Sequence, residues 1–273
     1  MSKSRSKFKN ITVCIMIFLL VINTNISLFA KSTIDINIDK LNKGVVGVSC
    51  NVNPKQRMKV IIQKGQSKYT YDINNGYQQF PLQMGNGSYT ITCYKNVGGK
   101  SYAMVQQKKV DIKLKNNEAV YLNSIQPIEW EMNDVPIKFA SNLTEGITKE
   151  YTQITNLYKH MVETGYAYDT DKISRIPTTY IPDIEDTYKN KSGICYDFSS
   201  LYGAMLRSQG IPTKLVKGYA KGIEEYHAWN EVYDSATKKW LVVDTTYDIE
   251  YNKVKIKVSM VKKNSDYQKV KEY

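Results

Sequence analysis

From Thr33 to about Trp130, apolar side chains return at every second position, a pattern that no helix can gather onto one face. Ile34, Ile36 and Ile38 alternate with polar residues, as do Val46, Val48, Cys50 and Val52, then Tyr89, Ile91 and Cys93, then Val110, Ile112 and Leu114. Strand side chains point to opposite faces in turn, so the alternation predicts short strands with one buried face each. Asn-Gly, Gly-Gly and Asn-Pro steps punctuate them and predict an antiparallel, Ig-like β-sandwich. Val97-Gly98-Gly99-Lys100 reads as a hairpin turn.

The alternation stops between Glu131 and Gly146, where Asn133, Asp134, Pro136, Ser141 and Asn142 gather. That change of period marks a domain boundary and divides the chain into a segment 1–30, a sandwich 31–135 and a second, α+β domain 136–273. Ile147, Tyr151, Ile154, Tyr158 and Met161 then recur at helical spacing, with Gly165 as a stop. His160 lies on this helix and is expected to be a structural or surface histidine, since its nearest polar neighbours form no ligand set.

Residues 1–30 have the composition of an export signal. Lys3, Arg5, Lys7 and Lys9 precede an apolar run from Ile11 to Ile22, and cleavage is expected after Ala30. The run is shorter than the roughly 20 apolar residues a membrane span needs, so no stable transmembrane anchor is expected after cleavage. The predicted localisation is secreted, extracellular or cell-wall associated.

The full chain carries a formal net charge of +12, and it remains basic once the signal is removed. A basic exported surface fits anionic cell-wall or surface polymers as partners, or simply a solvated lysine-rich face. Nucleic acid is not expected: no Arg-dense helix, zinc-finger spacing or aromatic-basic platform occurs. No cofactor or metal is expected either, because the chain has no CxxC and no calcium-loop spacing. Beyond the signal remain Cys50, Cys93 and Cys195, an odd number, so one thiol stays unpaired within a monomer. Cys50 and Cys93 both fall on apolar strand faces, where they either form a disulfide, the arrangement favoured, or sit as buried thiols.

Cys195 differs from both. Ser192-Gly193-Ile194-Cys195-Tyr196-Asp197-Phe198, followed by Leu201, Met205 and Gln209-Gly210-Ile211-Pro212, predicts a helix that starts just before Cys195, buries Phe198, Leu201 and Met205, and stops at Gly210. The first helical turn favours a thiolate and can stabilise an oxyanion. Tyr226 to Asp234 alternate as a strand with His227, Trp229, Glu231 and Tyr233 on one face. Lys239 to Asp244 form a second strand, and Ser235-Ala236-Thr237-Lys238 joins the two as a hairpin. Pairing Tyr233 with Trp240 sets Trp229 opposite Asp244 and makes His227 its diagonal neighbour. A one-residue slip would separate their faces.

A neutral thiol is a weak nucleophile near neutral pH, so an imidazole must take its proton and a carboxylate must orient the ring. The expected catalytic residues are therefore Cys195 as nucleophile, His227 as base and then acid, and Asp244 as the group holding His227. Attack on a protein or peptide amide gives a thioester, which water resolves as hydrolysis or an amine as transfer.

These runs, together with Arg207-Ser208-Gln209-Gly210-Ile211-Pro212, His227-Ala228-Trp229-Asn230-Glu231-Val232-Tyr233 and Trp240-Leu241-Val242-Val243-Asp244, resemble the transglutaminase-like superfamily of the secreted bacterial type. Cys, His and Asp follow in that family's order, 32 and then 17 residues apart. The resemblance covers about Ile147 to Asp248 and implies a papain-like α+β arrangement, with the nucleophile on a helix packed against a sheet that bears the other two. The family includes crosslinking enzymes, cysteine peptidases and amidases, so the resemblance leaves the substrate open. It also implies a second oxyanion donor upstream of the cysteine; no residue aligns with that role, and Tyr180 and Tyr188 are candidates by proximity only. Trp229 and Trp240 are expected in the sheet core, and Asp197 as a helix-end acid. A different class of reading is a catalytically inert surface or cell-wall binding module. After Val258 the chain is lysine-rich; Val254, Ile256 and Val258 predict one last strand before a solvated end.

Overall fold

The period-two segment folds into seven strands: β1 (Thr33–Asn37), β2 (Val45–Asn51), β3 (Met58–Lys64), β4 (Ser67–Ile73), β5 (Gly76–Pro81), β6 (Gly87–Gly98) and β7 (Ser101–Ile112). The computed structural model describes residues 33–273, and the export-signal reading of residues 1–30 lies outside the described residues. The strands form two antiparallel sheets, ordered β1-β2-β5 and β4-β3-β6-β7. Their inner faces share one core, to which Ile36, Val46, Val48 and Phe80 come from the first sheet and Val60, Ile62, Tyr89 and Ile91 from the second. β6 and β7 turn at Gly98, as the Gly-Gly pair predicts. Cys50 and Cys93 both lie in this core as free thiols, so the favoured disulfide is not formed. Burial pushes the Cys93 thiol up to about 12, and the nearby Cys50 adds to the rise.

Helices begin where the alternation ends. α1 (Val135–Thr144) and α2 (Glu150–Glu163) are followed by β8 (Ala167–Tyr168), α3 (Thr170–Arg175), α4 (Ile184–Asn190), β9 (Ser192–Gly193) and α5 (Cys195–Ser208). A third antiparallel sheet then forms from β10 (Thr213–Ala220), β11 (His227–Asp234) and β12 (Lys239–Val243), with α6 (Thr245–Lys253) before β13 (Tyr267–Glu272). Its order is β12-β11-β10-β13. Ile154, Leu157 and Met161 of α2, Phe198, Leu201, Tyr202 and Met205 of α5, and Leu215 and Val232 of the sheet make a second core. The fold is thus mixed α+β, as expected.

The last strand is corrected by the structure. Val254 to Val258 form none; the strand lies at Tyr267–Glu272, inside the stretch expected to be solvated. β13 is an edge strand, and its Lys269 is tied by charge: Nζ reaches Glu231 at 2.8 Å and Glu272 at 2.7 Å. Gly218 of β10 lets it approach, because a Cβ there would come within 2.1 Å of the Gln268 carbonyl oxygen.

α5 is fixed at its C-terminal end by Arg207, whose guanidinium is 2 % exposed. Nε donates to the Thr213 carbonyl at 2.8 Å, Nη1 to Asn123 at 2.7 Å and Nη2 to Tyr273 at 2.9 Å. One side chain therefore joins the helix, β10, the segment after the sandwich and the end of β13. Burial pushes its pKa down to about 9. Hydrogen bonds from a charged donor are worth about 1.5–3 kcal/mol each, and their loss here strands three carbonyls. Arg207→Met is expected to destabilise the protein by at least about 3 kcal/mol, read as a lower midpoint in urea unfolding; an unchanged midpoint would show that the clamp is dispensable.

Candidate active site

Cys195 is the first residue of α5. The residue before it, Ile194, is held by Asp197, whose Oδ2 accepts the Ile194 backbone N–H at 2.8 Å and so caps the helix from inside. Gly193 makes room for this cap, since a Cβ at that position would lie 2.7 Å from Cβ of Asp197. Asp197 is fully buried and is further satisfied by Lys172 Nζ at 2.8 Å and by the Tyr180 hydroxyl. Tyr180 is thereby engaged with the helix cap, while Tyr188 packs on Phe139 and His160. His160 belongs to that separate aromatic cluster, and burial lowers its pKa.

The β11–β12 hairpin forms in the register that its alternation predicts, with Tyr233 opposite Trp240 and Asn230 opposite Val243. Asp244 follows directly and becomes the N-cap of α6, accepting the Tyr247 N–H at 3.0 Å. Its other oxygen, Oδ2, lies 2.8 Å from His227 Nε2 and accepts the Tyr267 hydroxyl at 2.9 Å. An ionised carboxylate only accepts, so Nε2 carries the proton of this pair and Nδ1 is left to exchange one with a thiol. Trp229 stacks beside the imidazole, with ring centroids 6.3 Å apart and planes 23° from parallel.

His227 is buried, which by itself lowers its pKa. The hydrogen bond to Asp244 and a second, weaker contribution from Cys195 outweigh burial and raise it to about 10. The Cys195 thiol thus stands beside the imidazole, and it remains partly exposed. The structure brings together the three side chains singled out from the sequence. Alternation and helix signals place Cys195, His227 and Asp244; they give no sign of Tyr267, because the strand that carries it was not expected.

A cavity of about 250 Å³ opens beside His227, lined among others by Tyr168, Glu225, Tyr247, Glu250 and Tyr251. Burial pushes the Tyr168 phenol up to about 12, and the charges of Cys195, Glu225 and Glu250 add to the rise. Tyr168, Glu225 and Glu250 thus share the cavity beside His227. Periodicity carries no signal for Tyr168, since β8 is two residues long.

Residues 137–245 match the model of the transglutaminase-like superfamily, and this segment carries a transglutaminase-like core that spans Cys195, His227 and Asp244. Over 171 residues, 54% of this chain, the sequence is 24% identical to the uncharacterized protein YebA of Bacillus subtilis (strain 168). The match spans 22% of that curated relative's length. The periplasmic domain of TgpA from Pseudomonas aeruginosa is similar with a TM-score of 0.41 and 14% identity, over 77% of this chain and 72% of that one. Red sea bream transglutaminase is similar with a TM-score of 0.32 and 11% identity, over 74% of this chain and 48% of its own.

The His227 pKa stands above its ordinary 6.5. The stability gained from the charged pair with Asp244 is therefore complete below about pH 6.5 and is lost as pH rises through about 10. Asp244→Asn is expected to cost on the order of 3 kcal/mol at pH 6, with the gap to wild type narrowing toward pH 10 in thermal unfolding. A gap that does not change with pH would show that the pair is not ionic.

Proposed function

We propose that the protein is an exported thiol enzyme that cleaves or transfers amide bonds of proteins or peptides through Cys195, His227 and Asp244. The observation that carries this reading is the continuous arrangement from the buried Asp244 through His227 to a partly exposed thiol at a helix N-terminus. Nδ1 of His227 takes the thiol proton, and the sulfur attacks the substrate carbonyl. First-turn N–H groups of α5, which have no partner within the helix, face the oxyanion that develops. The imidazolium returns its proton to the leaving amine, while Asp244 and the Tyr267 hydroxyl keep the ring in place. A thioester remains, and either water or a second amine resolves it.

Export is supported by the basic and apolar composition of residues 1–30. Among the described residues no helix is long and apolar enough to cross a membrane. We read residues 31–135 as a sandwich domain and 136–273 as the catalytic domain, with basic side chains offered to anionic wall polymer.

Iodoacetamide treatment followed by peptide mapping is expected to label Cys195 ahead of the buried Cys50 and Cys93, which serve as internal controls. His227→Ala should slow that labelling at neutral pH by at least about tenfold, because a smaller fraction of the sulfur is then thiolate. Equal rates in the two proteins would sink the proposal. Mass spectrometry of the acyl-enzyme formed on candidate peptides, with and without a primary amine, separates hydrolysis from transfer: incorporation of the amine into product identifies transfer.

A further inference from the structure

Lys217 of β10 is half-buried. It follows Val216 and precedes Gly218, which pairs with His227. Lys217 itself pairs with Ala228, on the sheet face that meets α5, as shown by the Asn230 amide that donates from this face to the Ser199 carbonyl at 3.0 Å. Its ammonium lies 3.3 Å from the ring centroid of Tyr196, the neighbour of Cys195, and 5.7 Å from that of Tyr273. Among the described residues no carboxylate is within ion-pair distance of it, whereas Lys172, Lys214, Lys262 and Lys269 each have one.

A cation drawn part-way out of water without a counter-ion carries a cost unless something supplies the opposite charge. The neighbouring charges show what does. His227 is balanced by Asp244, and Asp197 by Lys172. With the thiol proton on His227, Asp244 and the Cys195 thiolate face a single imidazolium, which leaves one negative charge with no partner inside the triad. We propose that Lys217 is that partner: a positioning residue whose ammonium stabilises the Cys195 thiolate and leaves the ionised site neutral. The inference rests on the reading of Cys195 as the nucleophile. Burial pushes the lysine down to about 8, and the charge at Cys195 opposes that fall, as expected of two groups that sense each other. The other titratable groups near the sulfur are His227 on β11, hydrogen-bonded to Asp244, and Tyr168 on β8, which also senses Glu225 and Glu250. Tyr196 and Asp197 follow Cys195 on α5.

The test is the pH dependence of Cys195 alkylation by iodoacetamide in the full chain. Lys217→Met and Lys217→Gln should move the acid limb upward by about one pH unit, so that labelling below it is about tenfold slower, with the alkaline plateau unchanged. Lys217→Arg should keep the wild-type limb. A limb in either neutral variant that superimposes on wild type would overturn the proposal. Should both fail to fold, His227→Gln with Lys217 intact decides: its limb should stay below the ordinary thiol value of about 8.5, and a limb above that value would overturn the proposal. The readout is ionisation and not turnover. A shifted limb in a protein that forms no acyl-enzyme would sink the proposed function and leave the role of Lys217 standing.

Discussion

The carboxylate of Asp244 is the point on which the geometry of the site depends. It is fully buried, and its two oxygens accept three hydrogen bonds from three separate elements: the His227 ring on β11, the Tyr267 hydroxyl on β13 and the first turn of α6. A buried carboxylate is tolerated only when its lone pairs are filled. The same requirement that keeps Asp244 in the fold thus fixes the ring that it orients. His227 has little freedom left once Nε2 is bound and Trp229 covers one face of the ring. In the proposed mechanism the remaining nitrogen serves the thiol.

The other half of the site is placed by a helix held at both ends. At the far end Arg207 joins α5 to three backbone carbonyls, and midway the Asn230 amide bonds both Ser199 of the helix and Lys214 of the adjacent strand. At the near end Asp197 caps the first turn and draws in Lys172 and Tyr180. A rigid helix of this length leaves the sulfur little latitude along its axis. Its approach to His227 is set by polar anchors that sit away from the reacting atoms.

Much of this was legible in the sequence because it depends on local rules. Period-two alternation marked β1, β2, β6 and the end of β7, though not β3 to β5, and the parity of Tyr233 and Trp240 fixed the faces on which His227 and Asp244 meet. Gly193, the capping acid and Gly210 marked the limits of α5. What escaped has a common cause. β13 carries lysines in place of an apolar face, and it is held by pairing with β10 and by the ion pairs of Lys269, which a hydrophobic pattern cannot report. Lys217 interrupts a core-facing series of Thr213 and Leu215, and that interruption was the one available sign that a half-buried cation lay there. Cys50 and Cys93 have the apolar placement of a disulfide, but alternation specifies a face and not the distance across the sandwich.

β13 connects these features. Tyr267 at its start braces Asp244, while Glu272 near its end accepts the Tyr121 hydroxyl and binds Lys214 at 3.1 Å. The Glu272 carbonyl also receives the Gln83 amide from the segment after β5, at 3.1 Å. One six-residue strand therefore holds the orienting carboxylate of the site at one end and the sandwich at the other. Its alternating charges are what a strand in this position requires. An edge strand must satisfy backbone groups on one side only and must resist pairing with other chains, which lysines accomplish, and here Lys269 also finds Glu231 on β11 and Glu272 on its own strand. The property that made β13 resemble a solvated tail is the one that lets it serve as the joint.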